Sequence, residues 1–165
     1  MTIRNKFKMK RKTAIIGFYP VYPAKSGSAV VSYSFFKCYP GNKKLFQILD
    51  FKITIKKKNI SSTILLFKHP FFKLLSLPFF IFKIFNYLKN ASKPILIIEG
   101  ASWMGFSYIV FAIIKLLIPK VTMVYRGQSI EYEIRKKNSS FIIVNLTKFL
   151  ENRVVDSVDF FTAVS

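Results

Sequence analysis

The succession of apolar runs along this chain predicts an α/β domain of three layers built on a mainly parallel sheet. Three short, nearly continuous apolar segments carry that expectation, at residues 14–18, 95–98 and 121–125. A strand reads as unbroken apolar only when both of its faces are covered, as in a parallel sheet held between helices. Longer stretches with helical spacing lie between these segments. Strands that alternate with helices require right-handed crossovers over one sheet, so the three runs are expected as neighbouring buried strands.

The elements follow in order. Residues 1–12 form a basic segment containing Arg4, Lys6, Lys8, Lys10, Arg11 and Lys12. The apolar run behind it, residues 14–19, is too short for a signal-peptide core and reads as a first strand within 13–18. Residues 19–28 are rich in turn formers, and 29–39 predict a helix stopped by Pro40 and Gly41. Residues 45–51 and 52–55 have strand-like content, with Lys56, Lys57, Lys58 and Asn59 as a solvated turn. Residues 70–89 are aromatic and helical in spacing, and Pro78 predicts a kink or a break between two helices. A strand at 94–100 is followed by a loop at 101–105 and a helix at 106–117 that ends at Pro119. The third buried strand, 121–125, precedes a helix at 141–155 and a fourth strand at 160–164. Lysines interrupt both long apolar stretches, 64–88 and 103–118, before either reaches the roughly 20 residues of a bilayer span. No transmembrane helix is expected, although either stretch is suited to rest on a membrane surface.

Length and composition bound the function. A chain of 165 residues suits one domain with a real core, placed at residues 13–165. Cys38 is the only cysteine, which rules out an intrachain disulfide and predicts a small buried side chain in a reducing, cytoplasmic setting. A formal charge of +20 favours anionic partners, yet the same lysine, Ile, Phe and Asn bias would arise from an AT-rich genome. There is no Gly-x-Gly-x-x-Gly and no Gly-Lys-Ser/Thr, so dinucleotide and ATP sites lack their fingerprints. His69 is the sole histidine, and no Asp-x-Asp pair exists to hold a metal against a diphosphate. No cofactor and no metal are expected. Charge alone favours nucleic acid, but no reading motif accompanies it, and none is expected as a partner.

Ligands of open parallel sheets bind beyond the carboxyl ends of the strands. Three loops there carry polar chemistry. Ser26, Gly27 and Ser28, beside Lys25, offer close backbone approach and free amides to an anion, or else a plain tight turn. In the second loop, Glu99 leaves a buried strand together with Trp103, which either stacks on a sugar ring or packs. The third holds Arg126, Gln128 and Glu131, two donors and an acceptor, which read either as ligand contacts or as a capped turn with a salt bridge.

These residues resemble the amino-terminal domain of the family 4 glycosyltransferases, which have the two-domain GT-B fold. Strand one, the proline-rich turn and Ser26-Gly27 look like the family's first strand and Gly-Gly loop, with one glycine kept. The stretch from Tyr125 through Arg126, Gly127, Gln128, Ser129, Ile130, Glu131, Tyr132, Glu133 and Ile134 to Arg135 is similar to the family's His-Asn-Ile-Glu-Tyr-Glu segment. Leu150-Glu151 and residues 159–165 resemble the helix and Val-Ser strand that follow. Gln128 stands at the histidine position and Ser129 at the asparagine. Glutamine keeps hydrogen bonding to a sugar hydroxyl but cannot gain a proton near neutral pH.

The resemblance implies a Rossmann-like half of a GT-B enzyme. Its reaction is transfer of a sugar from a nucleotide-sugar substrate to a sugar or lipid-linked acceptor, with retained configuration and no obligatory metal. Family members carry a Glu-x7-Glu motif in a carboxyl-terminal donor domain, and no two glutamates here have that spacing. The chain is therefore expected to stop before that domain, to shape the acceptor side, and to be inactive alone. Lysines and aromatic helices suit a peripheral place on the inner face of a membrane that contains anionic lipid. The alternatives are a non-catalytic membrane-surface or polyanion-binding module, or an inactive gene fragment.

Overall fold

A computed structural model describes residues 11–19, 21–47, 53–57, 60–64, 70–100, 104–128, 133, 136–137 and 139–163. Five strands form one all-parallel sheet: β1 (Arg11–Gly17), β2 (Lys43–Gln47), β5 (Lys93–Gly100), β6 (Thr122–Gly127) and β7 (Phe160–Ala163), in the order β2-β1-β5-β6-β7. A separate antiparallel hairpin joins β3 (Ile53–Lys57) to β4 (Ile60–Ile64). Four long helices complete the described chain: α1 (Gly27–Cys38), α2 (Pro70–Leu88), α3 (Met104–Leu117) and α4 (Phe141–Ser157). The expected α/β, Rossmann-like three-layer arrangement is what these elements form.

The layers follow from crossover handedness. The chain moves from β1 outward to β2 in one direction, then returns past β1 and proceeds through β5 and β6 to β7 in the other. With every crossover right-handed, the first puts its helix on one face and all later ones on the opposite face. The packing agrees. Phe35 and Phe36 of α1 and Tyr39, its C-cap, cover Ile15, Ile95 and Ile97. Leu77, Ile84, Val110, Phe111 and Val154 of the other three helices pack on the face that holds Ala14, Ile16, Leu96, Ile98, Met123 and Tyr125. Successive residues of a strand point to opposite faces, so β1 and β5 read as continuous apolar runs because both faces are buried. Each fully buried Ile, Leu or Phe here contributes about 1.5–3 kcal/mol.

Several expectations are refined. Pro78 does not divide the aromatic stretch: α2 runs through it as one helix. Pro78 itself is exposed, while Leu77, Phe80, Ile81, Ile84 and Leu88 are buried on the other side of the helix, before and after it. The lysine turn is shorter than expected, because Lys56 and Lys57 pair with Ser61 and Ile60 in the hairpin, leaving 58–59 between the strands. The β4 strand was not foreseen. Cys38 corrects the sequence reading outright, since it is exposed. It closes α1 on the same solvent-facing stripe as Ser34, one turn back, whereas Ala29 and Ser32 face inward. Among the described residues, no helix is long and apolar enough to cross a membrane.

Candidate functional site

The strand order reverses between β1 and β5, and the chain leaves their carboxyl ends toward opposite faces. Such a reversal opens a crevice where ligands of open parallel sheets bind. The loop after β1 is folded back over that crevice. A Cβ on Gly17 would stand 2.5 Å from the Val21 Cγ2, so any larger residue there would push the returning loop's Val21 aside. Gln47, at the end of β2, holds the loop in place: its Oε1 accepts from the amides of Val21 (3.0 Å) and Tyr22 (2.9 Å), and its Nε2 donates to the Tyr22 carbonyl (2.9 Å).

Beneath the loop lies a cluster of five polar side chains from four elements. Glu99 ends β5 fully buried, and the Nη1 of Arg126 donates to its Oε1 at 2.9 Å and its Oε2 at 2.7 Å. Ser32, on the inward stripe of α1, donates to Glu99 Oε2 at 2.8 Å. Because its proton is so committed, the 2.6 Å contact with Tyr19 is one in which the Tyr19 hydroxyl donates to Ser32. Gln128 Nε2 reaches Ser32 Oγ at 2.7 Å, Tyr19 Oη at 3.0 Å and Glu99 Oε2 at 3.2 Å. Two hydrogens serve three acceptors, so the longest contact is the shared one. The Gln128 amide also donates to the Gly100 carbonyl at 3.2 Å, which ties the ends of β5 and β6.

Arg126 is held on its other side by stacking, with its guanidinium carbon 4.3 Å from the Phe35 ring centroid. Its side chain is 15% exposed. No hydrogen-bond partner lies on its Nε or Nη2 among the described residues. One edge of the fork thus faces Glu99.

Burial pushes the Tyr19 phenol above its usual range, and the neighbouring Glu99 charge adds to the rise against the opposing Ser32 and Gln128 hydrogen bonds and the Arg126 charge. The hydroxyl therefore stays a neutral donor throughout physiological pH. The sign for stability follows: Tyr19's contribution is intact below the ordinary tyrosine value near 10 and is lost as pH rises through the higher folded value. Urea unfolding midpoints of the wild type should fall above about pH 10 more steeply than those of Tyr19→Phe. Parallel curves for the two proteins would contradict that assignment.

The sequence-predicted residues divide into three groups. Arg126 and Gln128 lie in one cluster, and the ion pair that Arg126 makes there is with Glu99 of the neighbouring strand. Ser26 is the N-cap of α1, its hydroxyl accepting from the Ala29 amide at 3.3 Å, so its side chain is engaged in the turn. Gly27 and Ser28 open that helix exposed, and beyond its chain neighbours and own helix backbone no atom of the described residues lies within 4 Å of where a Cβ would stand on Gly27. Glu131, Trp103 and His69 lie outside the described residues. Tyr19, Ser32 and Gln47 were missed.

Among the described residues, no group of His, Cys, Asp and Glu is placed to hold a metal ion. Comparison with protein-family profiles, with curated proteins and with solved structures returned no match to this chain.

Proposed function

We propose that this chain forms the acceptor-side wall of a retaining, nucleotide-sugar-dependent glycosyltransferase of family 4. The observation that carries the reading is the position of Arg126 and Gln128: both project from the carboxyl end of β6 into the crevice at the strand-order reversal, where the resemblance puts the family's contacts. In the reaction, the bond from the anomeric carbon to the diphosphate breaks and a bond to the acceptor oxygen forms on the same face. The acceptor proton leaves with the diphosphate. Arg126 carries N–H donors beyond the Nη1 that binds Glu99, suited to anionic or hydroxyl oxygens, and Gln128 offers a hydrogen bond without a change of charge. A donor-gripping domain supplies the opposite wall, excludes water and completes the oriented site.

One observation favours a second reading, that the cluster is a structural clasp. Gln128 Nε2 and the Nη1 of Arg126 are already satisfied by Glu99, Ser32 and Tyr19. Fusion to a compatible donor domain separates the two. The isolated chain should show no sugar transfer, and the fusion should gain turnover that Gln128→Ala or a bulky residue at Gly27 lowers by about 10²-fold. If Gln128→Ala changes only the unfolding midpoint and leaves kcat and KM alone, the clasp is all the cluster is. Robust transfer by the isolated chain would equally overturn the half-site reading.

A further inference from the structure

We propose that the outer face of α2 and α3 is a seat for an anionic lipid bilayer. Leu75, Phe79 and Phe82 recur along one stripe of α2 and are 66%, 63% and 59% exposed. On α3, Leu116 is 80% exposed, with Leu117 beside it. These are not core positions left unfilled, since the inward stripes of both helices are buried against the sheet by Leu77, Ile84, Val110 and Phe111. An apolar groove of about 520 Å³ runs between the helices, floored by Leu77, Ile81, Ile109 and Ile113. An exposed apolar face of this continuity marks an interaction surface.

Charge selects the occupant. Neither α2 nor α3 contains an acidic residue. The Lys83 ammonium lies 4.2 Å from the Phe79 ring centroid, and Lys44 borders the adjoining cleft together with Phe79, Phe82 and Lys83. Rings beneath ammonium groups match the boundary between acyl chains and anionic headgroups, where apolar insertion and Coulomb attraction add. A second copy docked face to face would set Lys44 and Lys83 against their own counterparts, and like charges oppose that arrangement. Insertion is shallow, because no described helix can span the membrane. Sugar transfer plays no part in this proposal, so its test leaves that reading untouched.

The test is flotation of the full chain with vesicles of phosphatidylcholine, with and without phosphatidylglycerol, at low and high salt. Binding is expected only to the anionic vesicles and should weaken as salt rises. Phe79→Asp combined with Phe82→Asp should weaken it at least about tenfold, equivalent to about 1.4 kcal/mol, with an unchanged circular dichroism spectrum. An environment-sensitive fluorophore on Leu116→Cys, in a Cys38→Ser background, should shift to the blue with anionic vesicles. Undiminished binding by the double variant, equal binding to neutral vesicles, or an unshifted fluorophore would overturn the proposal. So would a dimer that the same double variant dissolves in the absence of lipid binding, which would assign the face to a second copy.

Discussion

Glu99→Ala is expected to destabilise the domain by about 3–5 kcal/mol, the loss typical when one partner of a buried ion pair is removed. Glu99 has no exposed side-chain surface, and it accepts from Arg126, Ser32 and Gln128. Its removal leaves a largely buried guanidinium without a counter-charge and takes the acceptor from the Ser32 hydroxyl, which adds its own desolvation cost. Equilibrium urea unfolding measures the change. Glu99→Gln keeps an acceptor but not the charge, so its loss should be smaller. Glu99→Leu combined with Arg126→Met should recover much of the stability, since no uncompensated charge remains. A loss below about 1 kcal/mol for Glu99→Ala would put the pair among exposed salt bridges and remove the premise that the cluster is a buried unit.

What the sequence revealed follows from which constraints act on neighbouring residues. Strands β1 and β5 were legible because both faces are covered, which leaves unbroken apolar runs such as Ile95 to Ile98, while β6, half-buried on one face, still showed as the run from Val121 to Tyr125. The hairpin was half legible. Ile60, Ser61, Ser62, Thr63 and Ile64 carry too few apolar side chains to announce a strand, and only pairing with residues 53–57 makes them one. Proline at position 78 predicted a kink or a break, and the break is absent because α2's buried inner stripe continues on both sides of it. Within the site, Arg126 and Gln128 stood out because charged and amide groups follow a buried strand. Ser32 and Tyr19 did not. A serine in a helix and a tyrosine in a proline-rich turn are ordinary in sequence, and their meeting depends on two chain segments 13 residues apart folding onto the end of β5. Gln47 was hidden for the same reason, as its role depends on a loop 25 residues upstream. Gly100 shows the converse: a Cβ there would stand 2.0 Å from the Tyr125 hydroxyl, a constraint invisible until β5 and β6 are side by side.

Phe18→Ala is expected to cost about 3–5 kcal/mol and to disturb the site as well as the core. Phe18 follows β1, buried, with its ring 5.6 Å from that of Phe106 and 6.1 Å from that of Phe80, so one side chain joins the sheet to α2 and α3. The rings around it are fixed by helices on either side and collapse only partly into the space, which is why the cavity cost adds to the lost transfer energy. Tyr19 is the next residue. Loosening Phe18 should let water reach the phenol, and the burial that raises its pKa should weaken, bringing the value down toward 10. Phenolate absorbance during alkaline titration reads that second effect independently of stability, with Tyr19→Phe as the reference that removes its signal. Phe18→Leu, which keeps part of the volume, should lose less on both counts. If Phe18→Ala costs under about 1 kcal/mol, the aromatic joint is not what locks β1 to the helices. If stability falls while the Tyr19 titration stays where it was, the core and the crevice are separately held, and Gln47 rather than Phe18 fixes the loop that closes over Ser32.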